Sequence, residues 1–329
     1  MFQSCAFGRV QEPVSLQDII YSLDEQFDIE IGNTIPGAVI LFIRDGEIYY
    51  KSAFGYKDLE NNARMTTDTV FRVASISKTV AALRAMRLVE DGTISLDDQV
   101  DNYLTRQRIS PRIHEVGGIT FRRLLSHNIG TRPHFYYQDL NYNIMQLEVM
   151  LINRTFLAEY VSNNIFPPLN MINSFYDVDL IPAGRLARSH NSDLGPPPGF
   201  FLSAAWDAAG GMYTTAGDLA NLIIEIIRCY REEENNFVIS RDSLLEMLRP
   251  HAISLMFPGL STGLGFFVTE RESGITTYSH GGILPGWRAH YEFNLSTGDG
   301  IIMLTNGDNG GVYFIQPLLD MWIEYQESR

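Results

Sequence analysis

Hydrophobic positions change in texture along the chain. Residues 39–43 are an unbroken apolar run, Asp45-Gly46 is a turn signal and residues 48–52 form a second run, which together predict a β-hairpin. A helix is predicted ahead of it, over residues 16–28. Between residues 77 and 90 the apolar side chains Val80, Ala81, Leu83, Ala85, Met86, Leu88 and Val89 cover most of a helix surface, and Gly92 stands where a C-terminal cap belongs. This helix should be central and buried.

The next hundred or so residues are helical and loop-rich, with helical segments near 121–126, 142–152 and 157–163 and a Gly-Pro-Pro-Pro-Gly loop at 195–199. Helices are predicted over 216–230 and 240–248, with a charged run at 231–234 that reads as a solvated turn. After Gly263 come short strands with glycine turns at 264–269, 276–279, 289–294 and 300–305, and then a last helix over 315–325. Strands near both ends with helices between them predict an α/β (α+β) fold. One sheet is built from both ends of the chain, residues 1–96 and 205–329, with a mainly helical lobe, 97–204, inserted.

With 329 residues, 45% of them hydrophobic and 12% aromatic, the chain can bury a large core. A net charge of -14 argues against nucleic acid and anionic membrane surfaces as partners, because both are bound through clustered Lys and Arg. No apolar stretch approaches the roughly 20 residues of a membrane span. Residues 1–10 lack a basic start followed by an apolar run, so a cytoplasmic location is expected. Cys5 and Cys229 are expected as free thiols, and the sequons at Asn153 and Asn294 matter only in a secreted protein.

Chemistry concentrates at the start of the buried helix. Ser75-Ile76-Ser77-Lys78 puts Ser75 and Lys78 three residues apart on one face, where their side chains can meet. A serine hydroxyl is too weak an acid to attack a carbonyl unaided; it needs a base within reach and N–H donors aimed at the developing oxyanion. A lysine in apolar surroundings has a lowered pKa and can be that base. By itself Ser-x-x-Lys is a pattern that chance supplies.

The context of these residues is more specific. Phe71-Arg72-Val73-Ala74-Ser75-Ile76-Ser77-Lys78, followed by Glu90-Asp91-Gly92-Thr93-Ile94-Ser95-Leu96-Asp97-Asp98, resembles the nucleophile region of the serine β-lactamase, penicillin-binding protein, D,D-peptidase and related esterase superfamily. The resemblance runs in order from about residue 35 to 306, through 119–127 with Gly130, Ala209-Gly210-Gly211-Met212-Tyr213, and His280-Gly281-Gly282 with Pro285-Gly286-Trp287. It implies an antiparallel sheet flanked by helices, with the site in the cleft beside the inserted helical lobe, and acyl transfer through Ser75 with no cofactor.

The superfamily's second motif, Tyr-x-Asn, is matched by Tyr137-Gln138-Asp139. The resemblance gives Tyr137 a share of the proton transfer. Asp139 replaces the asparagine; when ionised it only accepts hydrogen bonds, so it would hold Lys78 as an ammonium and repel a substrate carbonyl oxygen. Esterase-like members of the superfamily tolerate changes at this position, so the resemblance implies that ester chemistry survives the change better than lactam or peptide chemistry. The third motif, Lys-Thr-Gly in other members, is matched by His280-Gly281-Gly282, which the resemblance places along the substrate. Its backbone oxyanion hole would then be the N–H groups of Ser75 and Ile283. Trp287 either borders the acyl pocket or is a packed aromatic, and His127 is read as bracing the loop beneath the site.

The stretch from Ser126-His127-Asn128-Ile129-Gly130 to Tyr137 is shorter than in relatives, so a wall of the pocket is expected to be missing. The site would then be open to a bulky or carrier-borne acyl group as well as a small molecule, or be completed by another subunit, which leaves an oligomer open. Metal-binding spacings and phosphate loops are absent from the sequence. Four readings remain at this stage: an esterase-like serine hydrolase, a biosynthetic acyltransferase, a β-lactamase or D,D-peptidase, and a catalytically silent binding protein of the same fold.

Overall fold

The computed structural model describes residues 15–100, 118–129, 134–199, 203–310 and 312–329. Cys5, His114 and Gly130 lie outside them. The apolar runs make a nine-stranded sheet with its strands in the order β3-β2-β1-β11-β10-β9-β8-β7-β6. One end of the chain supplies β1 (Gly37–Arg44), β2 (Glu47–Asp58) and β3 (Ala63–Arg64). The other supplies β6 (Ala252–Ile253), β7 (Leu260–Thr262), β8 (Phe267–Glu270), β9 (Thr276–Leu284), β10 (Trp287–Asn294) and β11 (Asp299–Thr305). They meet where β1 pairs antiparallel with β11, Leu41 opposite Ile302. Asp45 and Gly46 both take positive φ, 52° and 78°, the backbone that a two-residue hairpin turn needs to match strand twist.

Every residue of β1 except Arg44 is buried, which explains why its sequence is apolar without alternation. Val39, Leu41 and Ile43 face one core and Ala38, Ile40 and Phe42 face another. The second core is closed by the two terminal helices. Helix α1 (Leu16–Glu30) contributes Leu16, Ile19, Leu23 and Phe27 at helical spacing, and its Ser15 and Asp18 form a reciprocal capping box. The C-terminal helix, Val312–Ser328, contributes Leu318 and the fully buried Trp322.

On the other face, helix α2 (Ser77–Glu90) is buried almost all round, as its apolar surface predicted. Around it lie α3 (Phe121–Leu125), α4 (Asp139–Asn153), α5 (Leu157–Asn164), α6 (Ala216–Tyr230) and α7 (Arg241–Leu248), and the C-terminal helix is therefore α8. A two-stranded pairing of β4 (Phe71–Arg72) with β5 (Tyr213–Thr214) leads into the turn before α2. Among the described residues no helix is long and apolar enough to cross a membrane, and Cys229 is a buried free thiol.

Strand β9 is longer than expected, continuing from Ser279 through His280-Gly281-Gly282 to Leu284. Its pairing with β8 stops at Ser279, while β10 pairs with it as far as Leu284. One edge of residues 280–284 is therefore left free of a neighbouring strand. Truncating Trp322 to Ala should cost about 3–5 kcal/mol, since the terminal helices cannot refill so large a space. Urea unfolding followed by far-UV circular dichroism measures it, and a loss below about 1 kcal/mol would show that the second core is loosely packed.

Candidate active site

The turn that carries Ser75 is strained and tightly braced. Ala74 takes a left-handed φ of 48°, unusual for a residue with a side chain. The Ser77 hydroxyl holds it by donating to the Ala74 carbonyl at 2.6 Å while accepting from the Met212 N–H at 3.0 Å. Against this turn lies the free edge of β9. A side chain on Gly282 would collide with the Val73 carbonyl, so only glycine lets the strand come this close.

Lys78 projects from the first turn of α2 into this corner and is fully buried. Its ammonium has three donors and finds three acceptors: Ser75 Oγ at 3.0 Å, Asp139 Oδ1 at 2.7 Å and the Ala209 carbonyl at 2.8 Å. Burial pushes its pKa down to about 8, partly offset by the charge and hydrogen bond of Asp139. Near neutral pH most of the amine is protonated, and a usable fraction is free. The Ala209-Gly210-Gly211 run belongs to the resemblance, but no motif assigns it this role. A carbonyl acceptor is carried by every residue, so only the clustering of small residues hinted at it.

Tyr137 stands beside Ser75. Burial raises its phenol well above the ordinary pKa, against a smaller lowering from the Ser75 hydroxyl, so it is a neutral donor and acceptor. Its ring stacks on His127 with centroids 4.4 Å apart, and Lys78 Nζ lies 5.0 Å from its centre. His127 Nδ1 accepts from the Gln138 N–H at 3.3 Å, which fixes the loop carrying Tyr137 and Asp139. Burial and the Lys78 charge keep that imidazole neutral. Asp139 opens helix α4, where the helix dipole favours a carboxylate, and its side chain is about half exposed, 47%, to the cleft.

Ser75, Tyr137, Asp139, Gly281, Gly282 and Ile283 line one cleft of about 730 Å³. It extends past Phe267 and Arg288 to Ile315 and Leu319 of α8, none of which the sequence singled out. Ile283 is 71% exposed at the rim. Two expected contributors lie elsewhere. His280 is buried behind Tyr137 against Phe267, with Nδ1 2.7 Å from the Gly281 carbonyl, and burial followed by the Lys78 charge pushes it down to about 3. It brings no positive charge to the cleft. Trp287 packs edge-on against Phe71, with centroids 6.3 Å apart, and faces a separate cavity. Among the described residues no group of three His, Cys, Asp or Glu side chains could hold a metal ion.

Residues 25–318 match the sequence model of the β-lactamase family. The chain belongs to that family. Its fold and its serine-lysine pair suit serine-based acyl transfer or hydrolysis in general. Among curated family relatives, Protein flp of Staphylococcus aureus is 20% identical over 183 residues, covering 46% of this chain and 36% of its own length. The chain thus spans about a third of that relative. The putative penicillin-binding protein PbpX of Bacillus subtilis is 24% identical over 302 residues, covering 82% of this chain and 70% of its own. Esterase EstB of Burkholderia gladioli is 38% identical over 111 residues, 33% of this chain and 28% of its own. In three dimensions the octameric penicillin-binding protein homologue of Pyrococcus abyssi superposes with a TM-score of 0.77 at 20% identity, covering 90% of this chain and 74% of its own.

Two outcomes follow from this geometry. Replacing Gly282 with Ala should force β9 away from the nucleophile turn and lower the acylation rate about 100-fold with little loss of fold, since a displacement of about 1 Å costs that much. Stopped-flow acylation alongside circular dichroism tests it, and an unchanged rate would mean that the close approach is dispensable. In Asp139→Asn the carboxylate that raises the Lys78 pKa is gone, so the pKa falls below about 8. Because the free amine forms above that pKa, the rising limb of the pH–rate profile should move to lower pH; a limb that stays or moves up contradicts the assignment.

Proposed function

We propose that the protein is an esterase-like serine hydrolase working through a covalent acyl-enzyme on Ser75. Ser75 Oγ attacks the ester carbonyl as its proton passes to the free amine of Lys78, and the N–H groups of Ser75 and Ile283 receive the oxyanion. The tetrahedral intermediate collapses, and Tyr137 relays the proton to the leaving alcohol oxygen. Water then attacks the acyl-enzyme by the reverse relay, releasing the acid and restoring Ser75. No cofactor enters this scheme.

The observation that carries the reading is Lys78 Nζ, fully buried, 3.0 Å from Ser75 Oγ with a pKa near 8. A silent binding protein of this fold would have no need to bury an ionisable amine there. Asp139 in place of the motif asparagine presents a carboxylate oxygen to an incoming carbonyl, which disfavours lactams and peptides more than esters that acylate readily. The similarity to EstB supports the same preference. Acyl transfer to another alcohol or amine uses the same residues and differs only in the second nucleophile. The substrate would be a small-molecule or carrier-borne acyl ester, and an oligomer, with the Pyrococcus abyssi homologue as precedent, fits this reading.

Intact-protein mass spectrometry after brief exposure to p-nitrophenyl acetate or benzylpenicillin separates the alternatives. The expected result is an acetyl adduct on the wild type, none on Ser75→Ala, and no penicilloyl adduct on either. A penicilloyl adduct would move the assignment to the lactam branch. Folded protein labelled by neither reagent would overturn the enzymatic reading.

A further inference from the structure

A second cavity, of about 880 Å³, shares no lining residue with the Ser75 cleft. The β9–β10 turn separates them, giving Ile283 and Arg288 to the cleft and Pro285 and Trp287 to the cavity. Leu194, Pro196, Pro197 and Trp287 make its walls largely apolar. Two guanidinium groups enter it, and they differ in one respect. Arg188 is ion-paired with Asp58, at 3.5 Å, and with Glu60. Arg72, the strand residue three before the nucleophile, lies over the Tyr213 ring with Cζ 5.3 Å from its centre, and among the described residues no hydrogen bond or ion pair holds it.

The Arg72 Nε is shielded from solvent without an acceptor. A guanidinium so placed is costly unless an anion completes it, because part of its hydration is lost and nothing replaces it. The carboxylate whose charge reaches it, Asp207, makes no ion pair with it, and burial pushes Asp207 up to about 7. His190, also at the cavity, is held below its ordinary pKa by burial, which favours the neutral imidazole over a second cation. Stacking on Tyr213 orients the guanidinium, and its two terminal nitrogens, which are not among the atoms shut off from solvent, remain to meet a planar, two-oxygen partner. Apolar walls around one unpaired planar cation suit an organic acid better than a bare inorganic ion.

We propose that this cavity is a binding site for a small apolar carboxylic acid, its carboxylate held by Arg72 and its body packed against Trp287 and the proline wall. The site is distinct from the Ser75 cleft and does not depend on the acyl-enzyme reading.

Equilibrium dialysis with phenylacetate, and with 2-phenylethanol as the uncharged counterpart, tests it on the wild type, Arg72→Gln and Arg72→Lys. Phenylacetate should bind the wild type, and Arg72→Gln should weaken it about tenfold or more, the scale of a lost charge-assisted contact. Arg72→Lys, which keeps the charge without the planar fork, should fall between them, and 2-phenylethanol should bind the wild type at least as weakly as phenylacetate binds Arg72→Gln. Equal binding of acid and alcohol, unchanged binding in Arg72→Gln, or no binding of phenylacetate to the wild type would overturn the proposal. If the variants do not fold, crystals of the wild type grown with phenylacetate decide. A carboxylate on Arg72 supports the site, whereas density only in the Ser75 cleft, or nowhere, overturns it.

Discussion

Burying an ammonium group is among the more expensive things a protein does, and the site is organised around doing so once, at Lys78. Three acceptors from three separate parts of the chain make it tolerable: the serine one turn earlier, the carboxylate that opens α4 and the Ala209 carbonyl. Each demands its own support. The carbonyl is aimed by the turn at 207–211, which Gln146 braces by accepting from the Ala208 N–H at 2.7 Å. The carboxylate is aimed by a loop pinned to His127. The serine sits on a strained turn locked by Ser77 and pressed by a strand that only glycine allows so near.

That arrangement places the lysine between two roles. Hydration would return it to an ordinary amine pKa, and burial without Asp139 would push it lower still. The Asp139 carboxylate therefore sets how much free base exists at a given pH, while presenting negative charge to the cleft. One carboxylate thus acts both on the Lys78 pKa and on the charge of the cleft.

Much of the frame was legible because it follows from periodicity. Helix α2 and the β1–β2 hairpin declare themselves through an all-round apolar surface and an Asp-Gly turn. Strands of two or three residues, β3, β6 and β7, have no room for a period and were invisible. The end of β9 was hidden for a different reason: His280-Gly281-Gly282 has poor strand propensity and is extended only because β10 pairs along it. Helix α4 begins at Asp139, three residues before the apolar pattern does, since its first turn is fixed by the site and not by the core. Ser75, Lys78, Tyr137 and Asp139, which the structure brings together, could be named from the sequence because motifs record side chains. The orientation of Trp287, the burial of His280 and the carbonyl of Ala209 depend on register and backbone direction, which no motif encodes.

Lys78 is a buried amine whose pKa burial brings down to about 8. Protein labelled with lysine carrying carbon-13 at Cε, compared with Lys78→Met to assign the signal, allows its titration to be followed directly by NMR. The Lys78 resonance should titrate near pH 8, well below the ordinary value of a lysine amine. A Lys78 that titrates at the free-amine value of about 10.4 would show that the amine is hydrated or fully committed to Asp139 and cannot be the base.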